Sequence, residues 1–144
     1  MLAKVQAAQP QAQIEGVLVQ RMEKGLIEAI IGYRHDAMVG PVVLLGSGGT
    51  LAEIYQDTVL RLAPVNADEA MQMIDEVKGL AVIRGYRNLP LGDVAALARA
   101  IAAFSRLALL PGAPVAEAEI NPLIVKADGV VAVDGLLVMR KDAA

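Results

Sequence analysis

The chain has 144 residues, of which 56% are apolar, with a net charge of −3, one histidine and no cysteine. This length suffices for one domain with a buried core. The absence of cysteine excludes disulfides, thiolate metal sites and cysteine nucleophiles, and a single histidine excludes a histidine metal cluster. Interspersed charges and an aromatic content of 3% argue against a nucleic-acid partner, which requires phosphate neutralisation and base stacking.

Neither the start of the sequence nor its longest apolar stretch is typical of a membrane or secreted protein. Residues 1–13 are polar and alanine-rich and lack the apolar centre of a secretory signal. The stretch 94–110 is interrupted by Arg99 and Arg106, which favours a buried amphipathic helix over a membrane span. We therefore expect a cytoplasmic location and no membrane partner.

The first half of the sequence predicts one short helix followed by strands. Residues 1–8 are expected to be helical up to a stop before Pro10. Two apolar runs, 16–22 (GVLVQRM) and 26–34 (LIEAIIGYR), flank a Lys24-Gly25 turn and indicate a hairpin. A polar loop is expected over 33–40, and further strands over 41–45 and 58–62.

The second half predicts two helices and a final pair of strands. Asn66 and Glu69 have capping-box spacing, which predicts a helix from there through Val77, and Asp93 is expected to cap another. Strands over 115–125 and 130–138 flank Asp128-Gly129, a dipeptide that favours a two-residue hairpin turn. Strands, then helices, then strands indicate an α/β or α+β fold with a mainly antiparallel sheet.

The register of the last hairpin brings polar residues together. If Asp128 and Gly129 are the loop residues, Leu123 faces Asp134, and both share one face with Glu119 and Asn121. Asn121 and Asp134 are then diagonal neighbours roughly 7–8 Å apart. An amide oxygen and a carboxylate so placed suit one hard cation such as Mg²⁺. The alternative is that Asn121-Pro122 forms a turn at the strand edge and Asp134 is simply solvated, with Pro122 bending the strand.

Three further features have both a functional and a structural interpretation. The glycine-rich stretch 46–49 follows a strand and either presents N–H groups to a phosphate or forms a tight turn; it matches neither a Walker loop nor G-x-G-x-x-G. Glu28 lies within an apolar strand and either faces solvent or binds a polar group in a cleft. Arg84 and Arg87 flank Gly85 and either bind an anion or lie in a solvated loop.

The motifs occur in a recognisable order. They are Gly16–Met22, Glu28, Gly40-Pro41-Val42-Val43, Gly46-x-Gly48-Gly49-x-x-x-Glu53, Arg84-Gly85-Tyr86-Arg87, Glu119-Ile120-Asn121-Pro122-Leu123 and Asp134. This order resembles the second lobe of the ATP-grasp domain in ADP-forming acyl-CoA (acetyl-CoA) synthetases, relatives of the succinyl-CoA synthetase β subunit. The resemblance covers about Gly16 to Leu136. It implies an ATP-grasp C-terminal subdomain over residues 16–140, with residues 1–15 as the remnant of a preceding helix and connector.

The resemblance also implies roles for the nucleotide-binding residues. Gln20, Arg21 and Met22 would form the hinge strand beside the adenine of ATP or ADP. Glu28 would bind the ribose hydroxyls. Gly48 and Gly49 would belong to the same cofactor-binding set.

The same resemblance implies roles for three residues of the last hairpin. Asn121 and Asp134 would ligate the Mg²⁺ that accompanies the nucleotide phosphates. Glu119 would stand near the phosphoryl group in transit and is the candidate catalytic residue. Two positions depart from the family pattern, Val39 where phenylalanine is usual and Leu136 where a basic or polar residue is usual.

The family converts acid, CoA and ATP reversibly into acyl-CoA, ADP and phosphate, through a phosphohistidine on a separate CoA-ligase domain. His35 does not match that phosphohistidine. No first lobe with its phosphate-binding lysine is present in the sequence, so we expect an incomplete ATP-grasp domain that is inactive alone. Its partners would be the missing N-terminal ATP-grasp lobe and the CoA-ligase domain, with a homo-oligomer left open. The alternative is a non-catalytic, degenerate lobe kept for subunit association.

Overall fold

A computed structural model describes residues 1–49 and 56–140, so Glu53 of the glycine-rich motif lies outside the described residues. The strands are β1 (Ile27–Asp36), β2 (Gly40–Ser47), β3 (Thr58–Leu62), β4 (Val115–Lys126), β5 (Gly129–Ala132) and β6 (Gly135–Met139). The helices are α1 (Leu2–Ala8), α2 (Ala67–Glu76) and α3 (Val94–Ser105), with 3₁₀ segments at Lys78–Arg84, Tyr86–Asn88 and Arg106–Leu109.

The described strands form one antiparallel sheet in the order β3-β2-β1-β4-β5, and β6 also pairs with β4. β5 and β6 thus lie one after the other along the same edge of β4. The predicted fold class, a mainly antiparallel sheet flanked by helices, is confirmed.

One face of the sheet builds the core and the other is open. Ala29, Ile31 and Tyr33 of β1 are buried, and the first two pack in one cluster with side chains of α2 and α3 such as Met73 and Ile101. Because successive residues of a strand point to opposite faces, the intervening residues of β1 lie on the side away from these helices. We call that side the open face; on β1 it comprises Glu28, Ile30, Gly32 and Arg34.

Both predicted helix starts are confirmed. The Asn66 side chain accepts the Glu69 N–H over 2.9 Å, and the Glu69 carboxylate accepts the Asn66 N–H over 2.8 Å, which completes the capping box of α2. Asp93 caps α3 by accepting the Ala96 N–H over 2.8 Å. Among the described residues, no helix is both long and apolar enough to span a membrane.

The predicted hairpin between residues 16–22 and 26–34 is wrong. Residues 16–22 form no strand, and Leu18 and Val19 are 84% and 88% exposed. An apolar, β-type sequence becomes a strand only where a neighbouring strand takes its hydrogen bonds. Of the described residues, none pairs with this segment.

The predicted polar loop over 33–40 is also wrong, because β1 continues to Asp36 and β2 already begins at Gly40. The Asp36 carboxylate accepts the N–H groups of Met38 and Val39, over 2.8 and 3.1 Å, and so closes a tight turn. The polar residues that suggested a loop therefore belong to a β1–β2 hairpin.

Candidate functional site

The last hairpin has a different turn from the predicted one. Lys126 pairs with Gly129, so Ala127 and Asp128 are the turn residues, and neither has a positive φ. The positive φ of 142° belongs to Gly129 at the start of β5. An Asp128-Gly129 turn requires a positive φ at both of its central residues. The turn predicted from the sequence is therefore one residue too far along the chain.

The corrected turn brings the predicted metal ligands closer together. Leu123 pairs with Ala132, not with Asp134, and the pairing continues through the Val133 N–H bond to the Pro122 carbonyl. Asn121 then lies directly opposite Asp134, to whose carbonyl its N–H donates over 3.2 Å. The two residues are thus direct cross-strand neighbours and not the diagonal pair that was predicted.

A β-bulge sets the orientation of Asn121. Ala29 of β1 pairs with Leu123, but Ile31 pairs with Ile120, so β4 has one extra residue between these pairs. Asn121 and Pro122, joined by a cis peptide bond, occupy this bulge. Bulges redirect a side chain and are frequent beside active sites. The irregularity expected from Pro122 therefore lies in the pairing with β1, while across Asn121-Pro122 the pairing with β5 and β6 keeps one register.

Glu119, Asn121 and Asp134 line one depression of about 380 Å³ together with Gly135 and Leu136. Glu119 pairs with Leu136 on one side and with Gly32 on the other, which places it on the open face. The Asp134 Oδ1 accepts the Gly135 N–H over 2.8 Å, which fixes the orientation of the carboxylate. The structure therefore brings together the three residues that the sequence singled out in this hairpin.

The oxygen donors of this depression suit a hard cation whose coordination shell the protein fills only in part. It consists of an amide oxygen and two carboxylates, the oxygen ligands that Mg²⁺ prefers. Among residues 1–49 and 56–140, no group of three or more histidine, cysteine, aspartate or glutamate side chains could hold a metal ion. Mg²⁺ typically binds one or two protein carboxylates and completes its octahedron with water and phosphate oxygens. The residues present fit that mode of binding.

A second depression, of about 360 Å³, extends from Glu119 across the open face. Its walls include Ile30, Leu44 and Leu60, so they are largely apolar, and Arg34 and Glu117 line it as well. Ligand pockets commonly combine such apolar walls with a few polar groups that fix orientation. Glu119 lies where this apolar depression meets the polar one.

Glu28 lies on the open face, exposed, beside a third depression of about 410 Å³. Glu23, Lys24 and Ile124 line the same depression. Glu28 thus shares its face of the sheet with Glu119 but lines a different depression. Its role towards ribose stays a prediction.

Gly48 has a structural role that the sequence did not show. Its N–H donates to the Glu28 carbonyl over 2.7 Å, and an added Cβ would lie 3.0 Å from the Glu28 backbone. In this arrangement the Gly48 N–H is used within the protein and does not point to a phosphate. Gly49 has a φ of +98°, and no atom of the described residues lies within 4 Å of an added Cβ. Participation of either glycine in cofactor binding stays a prediction.

The predicted hinge residues Gln20, Arg21 and Met22 lie in the exposed segment before β1. The Arg21 Nε lies 3.4 Å from a Glu23 carboxylate oxygen, and the other oxygen of Glu23 lies 2.6 Å from Lys126 Nζ. Sequence reasoning missed Glu23 and Lys126. No local pattern could have found them, since 103 residues separate them.

The two arginines around Gly85 do not converge on an anion site. Arg84 forms an ion pair with Asp75, and the Arg87 guanidinium lies 5.3 Å from the centroid of the Tyr86 ring. The segment consists of short 3₁₀ turns and not the predicted loop.

A model of the ATP-grasp domain family matches residues 1–139 of the chain. The chain belongs to the ATP-grasp family. The resemblance inferred from the motifs is thereby confirmed. The individual similar proteins indicate which kind of ATP-grasp enzyme the chain resembles.

The curated relatives include ADP-forming acetate–CoA ligases. Ligase I of Archaeoglobus fulgidus is 36% identical over 142 residues, which cover 99% of this chain and 21% of the relative. The β subunit of ligase I from Pyrococcus furiosus is 35% identical over 131 residues, which cover 90% of this chain and 56% of that subunit. The chain thus spans about a fifth of the first relative and just over half of the second.

Solved structures of an acetyl-coenzyme A synthetase from Ca. Korarchaeum cryptofilum share the fold. One, in complex with coenzyme A and acetyl-coenzyme A, is 33% identical with a TM-score of 0.87 and is matched over 96% of this chain and 62% of that chain. Another contains coenzyme A and Mg-AMPPCP and has its phosphohistidine segment pointing towards the nucleotide binding site. It is 32% identical, with a TM-score of 0.76, over 83% of this chain and 55% of that chain.

Proposed function

We propose that this chain is the nucleotide- and Mg²⁺-binding lobe of an ADP-forming acyl-CoA synthetase. The observation that supports this most directly is the arrangement of Glu119, Asn121 and Asp134 around one depression on the open face. The similar acetyl-coenzyme A synthetase that binds Mg-AMPPCP supports a magnesium nucleotide as the ligand. The reaction would be acid, CoA and ATP to acyl-CoA, ADP and phosphate, in either direction.

Each residue of the depression has a separate task in this proposal. Asn121 and Asp134 would hold Mg²⁺ through one oxygen each, and the Gly135 N–H would keep the Asp134 carboxylate turned towards it. When bound, Mg²⁺ neutralises charge on the phosphates and so favours phosphoryl transfer. Glu119 would face the phosphoryl group from the junction of the polar and apolar depressions.

Other parts of a larger protein or complex would supply the rest of the site. The curated relatives extend well beyond the matched region, and the chain covers 21% of one and 56% of another. We propose that an N-terminal ATP-grasp lobe closes over the open face. A phosphohistidine segment of a CoA-ligase domain would then reach Glu119, as the orientation of that segment in the similar synthetase suggests.

Binding of Mg-ADP to the ¹⁵N-labelled chain, followed by NMR, tests the proposal. We expect Mg²⁺-dependent shifts at Glu119, Asn121, Asp134 and their neighbours, because two protein oxygens alone bind the metal weakly and nucleotide phosphates strengthen binding. The method detects millimolar affinities, so weak binding by a single lobe remains measurable. A titration that leaves these resonances unmoved at saturating Mg-ADP contradicts the proposal.

One observation favours the second candidate, a lobe that serves subunit association. Leu18, Val19 and Met22 are each more than four-fifths exposed, at 84%, 88% and 86%. Monomeric proteins rarely expose contiguous apolar patches of large size. A chain that self-associates through this segment yet shows no Mg-ADP response would favour association over nucleotide binding.

A further inference from the structure

We infer that Lys126 is a positioning residue that fixes the hinge segment Gln20–Met22 against the sheet through the Glu23 carboxylate. What this segment binds rests on the proposed function. The anchoring itself follows from contacts between residues 21–26 and the end of β4.

The Glu23 carboxylate bridges the hinge and the sheet. Its Oε2 lies 2.6 Å from Lys126 Nζ and its Oε1 lies 3.4 Å from Arg21 Nε. The Glu23 and Lys126 side chains are only 16% and 26% exposed, whereas the Arg21 side chain is 85% exposed. The hydrogen bond from Lys126 holds the pKa of Glu23 below its usual value. The carboxylate is therefore charged in neutral solution, and it connects Arg21 of the hinge segment to Lys126 of β4.

Contacts of the next residues along the chain hold it against the same end of β4. The Leu26 N–H donates to the Val125 carbonyl over 2.8 Å. An added Cβ at Gly25 would lie 2.3 Å from Ile124 Cγ2 and 2.6 Å from the Val125 oxygen. Gly25 thus allows the chain to approach the end of β4 closely, and on either side of it Glu23 contacts Lys126 and Leu26 contacts Val125.

The hinge segment makes few other contacts that could fix its position. Of the described backbone, no hydrogen bond joins residues 16–22 to the rest of the molecule. Glu23 and Lys24 also line the depression beside Glu28, the predicted ribose ligand. The ion pair with Lys126 therefore sets the position of Gln20–Met22 relative to Glu28.

Backbone ¹⁵N relaxation of the whole chain tests the inference. In Lys126→Met, which keeps the apolar stem, and in Glu23→Gln, we expect the order parameters of residues 20–24 to fall from about 0.8 to below about 0.6. The double variant Glu23→Lys/Lys126→Glu should restore them, since it retains an ion pair at the same place. Lys78→Met removes an exposed lysine elsewhere and should leave the segment unchanged.

The outcomes separate the inference from the proposed function. Unchanged order parameters in both single variants, or an exchanged pair that fails to restore order, overturn the inference. Mg-ADP affinity of the same variants should fall roughly two- to fivefold, the effect expected for a partly exposed ion pair, while Asp134→Ala should remove the response. A wild-type chain without any Mg-ADP response would contradict the proposed function, and the relaxation data would still decide the inference.

Discussion

Asn121 lies directly opposite Asp134 across the last hairpin, and its N–H donates to the Asp134 carbonyl over 3.2 Å. The backbone bond sets the separation of the two residues, while the bulge at Asn121-Pro122 orients one of them and the Gly135 N–H orients the other. In the proposed site, two oxygen donors would thereby be in place before a cation binds. Such preorganisation is what a magnesium site with few protein ligands requires.

Replacement of Asp134 by alanine should weaken binding of Mn-ADP by at least about tenfold. The reason is that loss of even an outer partner of a metal ligand typically costs 10- to 100-fold in metal affinity. Paramagnetic broadening of the resonances around Asn121 by Mn²⁺ measures the effect. Asp128→Ala, which removes an exposed carboxylate from the turn of the same hairpin, is the matched control. Equal broadening in both variants would contradict the assignment of Asp134.

The proximity of Glu119, Asn121 and Asp134 could be predicted although the turn was wrong. Moving a hairpin turn by one residue shifts every cross-strand pair by two, so Asp134 changed its partner from Leu123 to Asn121 and stayed beside the same part of β4. The prediction that Leu123 shares the face of Glu119 is wrong, because the bulge at Asn121-Pro122 breaks the alternation: Leu123 pairs with Ala29 and is buried in the core, whereas Glu119 pairs with Gly32. The fold class, the α2 capping box and the Asp93 cap were predictable because each depends on local spacing.

The first hairpin and the hinge anchor could not be predicted, because neither depends on local sequence alone. Residues 16–22 have the composition of a strand, but whether they pair depends on a neighbour that the sequence does not specify. The Glu23–Lys126 ion pair forms only after the sheet brings together residues 103 positions apart. Gly48 likewise acquires its contact with Glu28 from the packing of β1 against the end of β2.

Replacement of Gly25 by alanine should destabilise the chain by about 1–3 kcal/mol, the usual effect of forcing extra atoms into a close contact. An added Cβ would lie 2.6 Å from the Val125 carbonyl oxygen, a backbone atom that cannot move independently. Urea unfolding measures the change. Gly16→Ala is the control, since no atom of residues 1–49 or 56–140 lies within 4 Å of its added Cβ. Similar losses in both variants would show that glycine flexibility, and not the close contact with β4, is responsible.

Replacement of Ser105 by alanine should cost about 1–3 kcal/mol because it leaves a buried donor without a partner. Ser105 is fully buried, and its Oγ accepts the Val65 N–H over 3.0 Å and donates to the Ala102 carbonyl over 2.8 Å. Val65 is itself 5% exposed, so water cannot easily replace the hydroxyl. The reverse exchange at an exposed position of the same helix, Ala103→Ser, measures helix propensity alone. A loss no larger than in this control would contradict the role of the hydroxyl.

The Asp36 carboxylate should make the β1–β2 hairpin sensitive to acid. The N–H group of Met38, and after it that of Val39, hold the pKa of Asp36 below its usual 3.8. A group whose pKa is lower in the folded state stabilises the protein above its unfolded pKa, and this contribution disappears as the pH falls through the folded value. The difference in free energy of unfolding between the wild type and Asp36→Asn should therefore be constant above about pH 5 and shrink below pH 3.8. Urea titrations at a series of pH values measure it, together with the ¹³Cγ shift of Asp36, which reports the carboxyl directly. A difference that grows on acidification, or an Asp36 carboxyl that titrates above 3.8, would contradict this account of the turn.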